Sequence, residues 1–235
     1  DVFVAAEAVA RDGARVALRG SVRELVAPAL AALGVPTPGE PDLTGKLRGA
    51  LTRAMGGLGA DVDTIDRCRE LLAAAARAES VDAELLAAAT SVAAMHGSSD
   101  DYDAMLDRFL NGATPQEQLR SLYALAEFDD AELLQRTCEL AMSGEVKTQN
   151  APFLLRATIA NRSHGRAAWA FLREHWSEAV ERFPGNTIVR MIDSVSLLNQ
   201  PEDAHVAQAF FAEHPIEQAK QTLEQTLERQ RVNVA

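Results

Sequence analysis

Aromatic side chains make up only 5% of this 235-residue chain, and cysteine occurs twice. No run of Val, Ile and Thr suits a strand, and few rings are present to line one, so a β-rich core is excluded. Cys68 and Cys138 belong to no CxxC pair and no Cys/His cluster. They read as reduced, buried helix residues of a cytoplasmic protein rather than as a disulfide framework. Basic residues are also in deficit, 23 Lys and Arg against 34 Asp and Glu, for a net charge of −11. A surface of that sign repels phosphates, so no nucleic acid is expected as a partner. No apolar stretch approaches the roughly 20 residues that cross a bilayer, because Arg, Glu, Asp or Gly interrupts each one. No membrane is expected either, and the N-terminal stretch has neither a basic leader nor a cleavage pattern.

What the chain does contain is alanine and leucine, within 47% hydrophobic and 24% charged residues. Those proportions are ordinary for a folded protein, and the choice of apolar residue favours helix throughout. Cap signals divide the sequence. Ser21 with Glu24 has capping-box spacing ahead of LVAPALAALG, and Gly34 can supply a left-handed exit. VPTPGEPD, with prolines at 36, 38 and 41, is the one evident linker. Helices are expected over about 43–58, 61–78, 82–96 and 100–110. Thr114-Pro115-Gln116-Glu117 opens another, Asp129 with Glu132 opens the next, and Gly144 closes it. Further helices are expected over 149–161, 165–183, 187–198 and 203–214, with a last one from Pro215 onward.

Taken in pairs, these helices begin near 82, 115, 149 and 187, a spacing that suits stacked helical hairpins. The expected fold is all-α, an irregular α-solenoid of antiparallel HEAT- or armadillo-like helix pairs with a concave face. It forms a single helical-repeat domain over 1–235, with a possible seam at the linker 35–42. The chain starts without Met and in mid-helix, and it reads as a piece of something longer.

Chemistry-bearing motifs are absent. HExxH, GxGxxG, GxxxxGK and GxSxG do not occur, and GGLG at 56–59 follows a helix and reads as a helix end. His175 and Glu178 place two possible ligands on one face without a third, a spacing that a solvated or capping pair also explains. His96 and His164 each precede a glycine at a helix end, where a cation is favoured at the C-terminal end. His205 and His214 are too far apart on one helix for joint ligation. Asp100/Asp101 and Asp129/Asp130 fall at helix starts, where negative charge is stabilising. Residues alone thus describe a helical array with no metal site and no catalytic group.

One stretch carries more. VKTQNAPFLLRATIANRSHGRAAWAFLREHW, residues 146–176, and AQAFFAEHPIEQAKQTLEQTLER, residues 207–229, resemble the C-terminal domain of zinc aminopeptidases of the aminopeptidase N superfamily. The likeness is to the puromycin-sensitive and endoplasmic-reticulum types. The residues that carry it are Lys147, Gln149, Asn150, Asn161, Gly165, Arg166, Trp169, Phe171 and Trp176, followed by Phe210-Phe211 before an acidic His-Pro, and Gln225 with Glu228. Upstream, GKLRGALTRAM at 45–55 is similar to the family's Leu-Arg helix. The likeness runs from about residue 45 to the end.

The resemblance implies an α-solenoid packed against a catalytic domain of the same polypeptide and enclosing a chamber for a peptide substrate. Zinc and the residues that grip the peptide amine then belong to that other domain, so this chain alone would not hydrolyse peptides. Gln149, Asn150, Arg156, Arg166 and Arg48 are the candidate chamber or peptide contacts. Asn150 is also suited to capping the helix that starts at Ala151-Pro152. Arg156 and Arg166 can pair bidentately with a peptide carboxylate or cover neighbouring helices with their stems. Arg48 reads as a chamber residue or as an ion-pair anchor to the other domain. Trp169 and Trp176 share a face, with Phe171 roughly opposite, as inter-helix packing requires. The alternative function is a free-standing α-solenoid scaffold that holds a protein partner in its concave face.

Overall fold

A computed structural model of the chain describes residues 12–198, 200–216 and 220–234. The expectation that the chain opens in mid-helix falls on residues 1–11, outside that range. Among the described residues every regular element is helical. The chain divides into two compact units, 1–124 and 125–235. The linker 35–42 lies inside the first.

In the first unit, α1 (Asp12–Leu33) runs straight through Ser21. The Ser21/Glu24 spacing therefore starts no helix, because a cap needs unpaired amides and these sit within a continuous ladder. Val22 and Val26 recur at one face of α1 and are buried against Met55, Leu51 and Leu58. Gly34 ends the helix with φ of +59°, the left-handed exit expected from the sequence. Next comes α2 (Asp42–Arg53), which continues into a π-helical turn (Ala54–Leu58). GGLG is thus the end of a helix, but of a widened one. Gly56 lies so close to Val92 that an added Cβ would stand 2.6 Å and 2.9 Å from its two methyl groups.

Helix α3 (Val62–Ala76) is capped by Asp61, which accepts from the Thr64 amide at 3.0 Å. Helix α4 (Ala83–Met95) is capped by Asp82 at the amides of Glu84 and Leu85. Ile65 and Cys68 of α3 pack with Ala89 and Val92 of α4. Helix α4 is buried nearly all round because α2, α3 and α6 all pack on it. Ser98 and Asp101 form a capping box on α5 (Ser99–Asn111). The unit closes with α6 (Pro115–Ala124), where Thr114 accepts from the Glu117 amide at 3.1 Å. The Glu117 carboxylate returns the bond to Ala113 rather than to Thr114.

The second unit opens with a 3-10 turn (Leu125–Glu127) and α7 (Ala131–Ser143). Its cap is Asp130, not Asp129: the Asp130 carboxylate accepts from Glu132 and Leu133. Asp129 instead faces His164 at 3.4 Å. His164 stands at a helix N-terminus, not at the C-terminal end expected from the sequence. Gly144 ends α7 at φ of +101° as expected, and the Arg182 guanidinium donates to the Met142 carbonyl there.

After α8 (Ala151–Ile159), Asn161 pins the turn. Its Nδ2 donates to the carbonyls of Ala126 and Phe128 at 2.9 Å and 3.0 Å. Its Oδ1 accepts from the amides of Ser163 and His164. The helix expected over 165–183 is two, α9 (Gly165–Glu174) and α10 (Trp176–Arg182), broken at His175. The break is stabilised by the ring Nδ1 of His175, which donates to the Phe171 carbonyl at 2.9 Å.

Next come α11 (Gly185–Ile192) and a 3-10 turn (Asp193–Leu197). The unit ends with α12 (Pro201–Glu213) and α13 (Lys220–Val234). Helices that follow one another pack on one another in both units: α3 on α4, α5 on α6, α7 on α8, and α8 on both α9 and α11.

Candidate functional site

Four of the five candidate residues lie in the second unit, Gln149 and Asn150 just before α8, Arg156 on α8 and Arg166 on α9. Gln149 is exposed in the turn that leads into α8. Asn150 occupies the N-cap position but makes no side-chain cap bond. Its backbone is already helical, with φ −104° and ψ −31°, and a cap needs an extended residue there to aim its oxygen at the free amides. The half-buried Asn150 contributes its carbonyl instead, to the amides of Phe153 and Leu154 at 3.0 Å each.

Arg156 follows on the exposed face of α8, one turn after Phe153, which is 37% exposed. A guanidinium N of Arg156 stands 3.3 Å from one oxygen of Asp193. The second oxygen of that carboxylate is 3.3 Å from Arg229 of α13. Two guanidinium groups thus share one carboxylate, which leaves a net positive charge and unused N–H donors beside an exposed ring. Chemically, such a group can hold an anion through charge-assisted bonds. It supplies no nucleophile.

Arg166, in the first turn of α9, is turned to its own chain. Its Nε donates to Asp203 at 2.8 Å, and Glu202 stands 3.9 Å away. Asp203 is buried and also accepts from the Gln200 amide. The pairing offsets the poor placement of a cation at a helix N-terminus. Arg48, in the first unit, is 2% exposed and fully engaged. It meets both oxygens of Glu40 at 2.6 Å and 2.8 Å and donates to the carbonyls of Gly34 and Leu33 at 2.9 Å and 3.2 Å. The Arg48 guanidinium holds the Glu40 carboxyl below its ordinary range, and Glu40 in turn raises Arg48. Arg48 therefore secures the linker 35–42 and the end of α1.

The aromatic residues form a packed cluster. Trp169 meets Phe210 edge-to-face at 5.3 Å and Phe211 at 5.6 Å, and Trp176 meets the same pair at 5.3 Å and 5.8 Å. Phe171 lies apart, stacked on His175 at 4.1 Å. The two tryptophans are core, as their shared face predicts. His175 and Glu178 do not act together: Glu178 stands 3.7 Å from Arg182. Among the described residues no three His, Cys, Asp or Glu side chains are placed to hold a metal ion. The Cys68 and Cys138 thiols are pushed up to about 11 by burial, which leaves them protonated and unreactive at neutral pH.

Asp193, Arg229, Asp203 and Glu40, the partners of the candidate arginines, have no signal in the sequence. Each pairing except that of Glu40 joins elements far apart in the chain.

Residues 4–232 match the ERAP1-like C-terminal domain family. Aminopeptidase M1-A of Oryza sativa is 29% identical over 133 residues, 56% of this chain and 15% of that protein. The alanine/arginine aminopeptidase of Saccharomyces cerevisiae is 27% identical over 135 residues, 56% of this chain and 16% of its own length. Human endoplasmic reticulum aminopeptidase 2 is 38% identical over 96 residues, 40% of this chain and 10% of that protein. The match thus covers a small share of each curated relative. A helical fold among the described residues and a family match that spans almost all of the sequence agree with the likeness carried by Gln149, Gly165 and Trp169: this chain belongs to the ERAP1-like C-terminal domain family.

Proposed function

We propose that this chain is the non-catalytic C-terminal domain of a zinc-dependent aminopeptidase, an α-solenoid that encloses the substrate chamber and helps to admit and position peptides. The observation that carries the reading is the family match over residues 4–232, together with relatives that are named aminopeptidases. The partners are a catalytic domain of the same polypeptide and the peptide itself. In this reading the zinc is held by the catalytic domain. A shell around an open metal site keeps bulk water and folded proteins out while a thin peptide passes, and movement of the shell gates turnover.

Within this reading, Arg156 is the group that meets the far end of a peptide. Among the described residues its carboxylate partner is Asp193, shared with Arg229, so donors are left for a peptide carboxylate. Gln149 is an exposed amide in the turn that leads into the same helix. The test is made in the parent enzyme. Arg156→Ala is expected to raise KM for longer peptides by about tenfold, the equivalent of one charge-assisted hydrogen bond. KM for a single-residue chromogenic amide, too short to reach Arg156, should rise far less. Equal effects on both substrates would remove Arg156 from peptide positioning. The isolated chain is expected to release no product from either substrate, and turnover by it would overturn the whole reading.

A further inference from the structure

Helix α13 is attached to the second unit in an unusual way. Its buried stripe is Leu223, Thr226 and Gln230, two of the three polar. The helix packs on the 3-10 turn Asp193–Leu197, on α11 and on α12. Side chains one turn apart reach the turn's polar groups. Arg229 stands 3.3 Å from the Asp193 carboxylate, Gln230 donates to the Leu198 carbonyl at 3.2 Å, and Asn233 donates to the Ser196 carbonyl at 2.8 Å. The Gln230 Oε1, in a residue with no exposure, has no hydrogen-bond partner among the described residues. The apolar side of this contact is Leu223 and the half-buried Leu227, and a partly satisfied polar group weakens it. The core of the same unit, by contrast, buries Leu154, Leu155, Ile159, Leu172 and Met191 completely. Elements with few buried apolar contacts open first.

We propose that α13 is a releasable strap: it docks and undocks as a unit, without unfolding of α7 to α9, and covers the carbonyl end of the 193–197 turn when docked. Docking also sets the charge at Arg156. With the strap in place, Asp193 is divided between Arg156 and Arg229; with the strap released, the whole carboxylate passes to Arg156 and neutralises its charge. The opening itself does not depend on the peptide-positioning role of Arg156.

Hydrogen–deuterium exchange on the 235-residue chain tests this directly. Amides of α13, including those near Leu223 and Thr226, are expected to exchange faster than those of α8 and to show little dependence on low denaturant. Arg229→Ala should accelerate α13 exchange by about two- to fivefold, the range of an exposed ion pair. Arg229→Ala with Asn233→Ala should accelerate it by about tenfold and leave α8 unchanged. Added salt should speed α13 in the wild type but not in Arg229→Ala. Two results would overturn the proposal. One is exchange of α13 at the α8 rate with the same denaturant dependence. The other is fast exchange confined to the last turn, which would be ordinary end fraying.

Discussion

At the scale of single residues, the Glu40–Arg48 pair shows how a charge can be recruited for architecture. Arg48 is inaccessible and spends its donors on Glu40 and on the carbonyls of Leu33 and Gly34. Removing either partner leaves the other without its counter-charge. The pair has a definite pH signature. Hydrogen bonding to Arg48 lowers the Glu40 pKa in the folded state, so the unfolded chain binds that proton more readily. The pair's contribution is present above the ordinary glutamate value and is lost as pH falls through the lower, folded one. Glu40→Gln should therefore lower the thermal midpoint at neutral pH, and its gap from the wild type should close as pH falls through and below the ordinary glutamate range. A gap that stayed constant would show that the charge of Glu40 contributes nothing.

At the scale of elements, the helices were legible because caps and periodicity act over three or four residues. The capping roles of Asp61, Asp82 and Ser98 each depend on a short side chain next to free amides. Where the expectation failed, a distant contact overrode the local signal. Ser21 lies inside a continuous helix whose Val22 and Val26 are held by Met55. The helix end at GGLG was expected, but its π-helical widening over 54–58, where Gly56 is pressed on Val92 from α4, has no local signal. Gly56→Ala is expected to cost about 1–3 kcal/mol by overpacking, measured by urea unfolding. Val92→Ala should make room for the new methyl, so that the double variant loses less than the sum of the two single losses. Simple additivity would mean that the two positions do not share the space.

At the scale of the whole molecule, two compact units each hold one buried thiol, Cys68 in the first and Cys138 in the second. Burial raises both to about 11, so each reacts appreciably only when its own unit opens. Alkylation in native buffer should be slow at both sites. As denaturant is added, the onset of labelling at each cysteine should report the opening of the unit that contains it. The tryptophans give a second view of one unit alone, because Trp169 and Trp176 both lie in the second. Labelling of Cys138 and the change in tryptophan fluorescence should coincide. Rapid native labelling of either thiol would contradict its burial.

The sequence by itself determined that this protein is helical, where most helices start and stop, and which family it resembles. Helix propensity, capping and turn chemistry are local, and a family pattern is a string of residue types. It also marked Arg156, Arg166 and Arg48 as arginines of interest, but not what they do. Only the tertiary structure decided that Arg48 is an internal clasp, that Arg166 is taken up by Asp203, and that Arg156 shares Asp193 with Arg229. The Arg156–Asp193 and Arg229–Asp193 contacts span 37 and 36 residues. No local rule couples charges over such distances; helix packing alone brings them together.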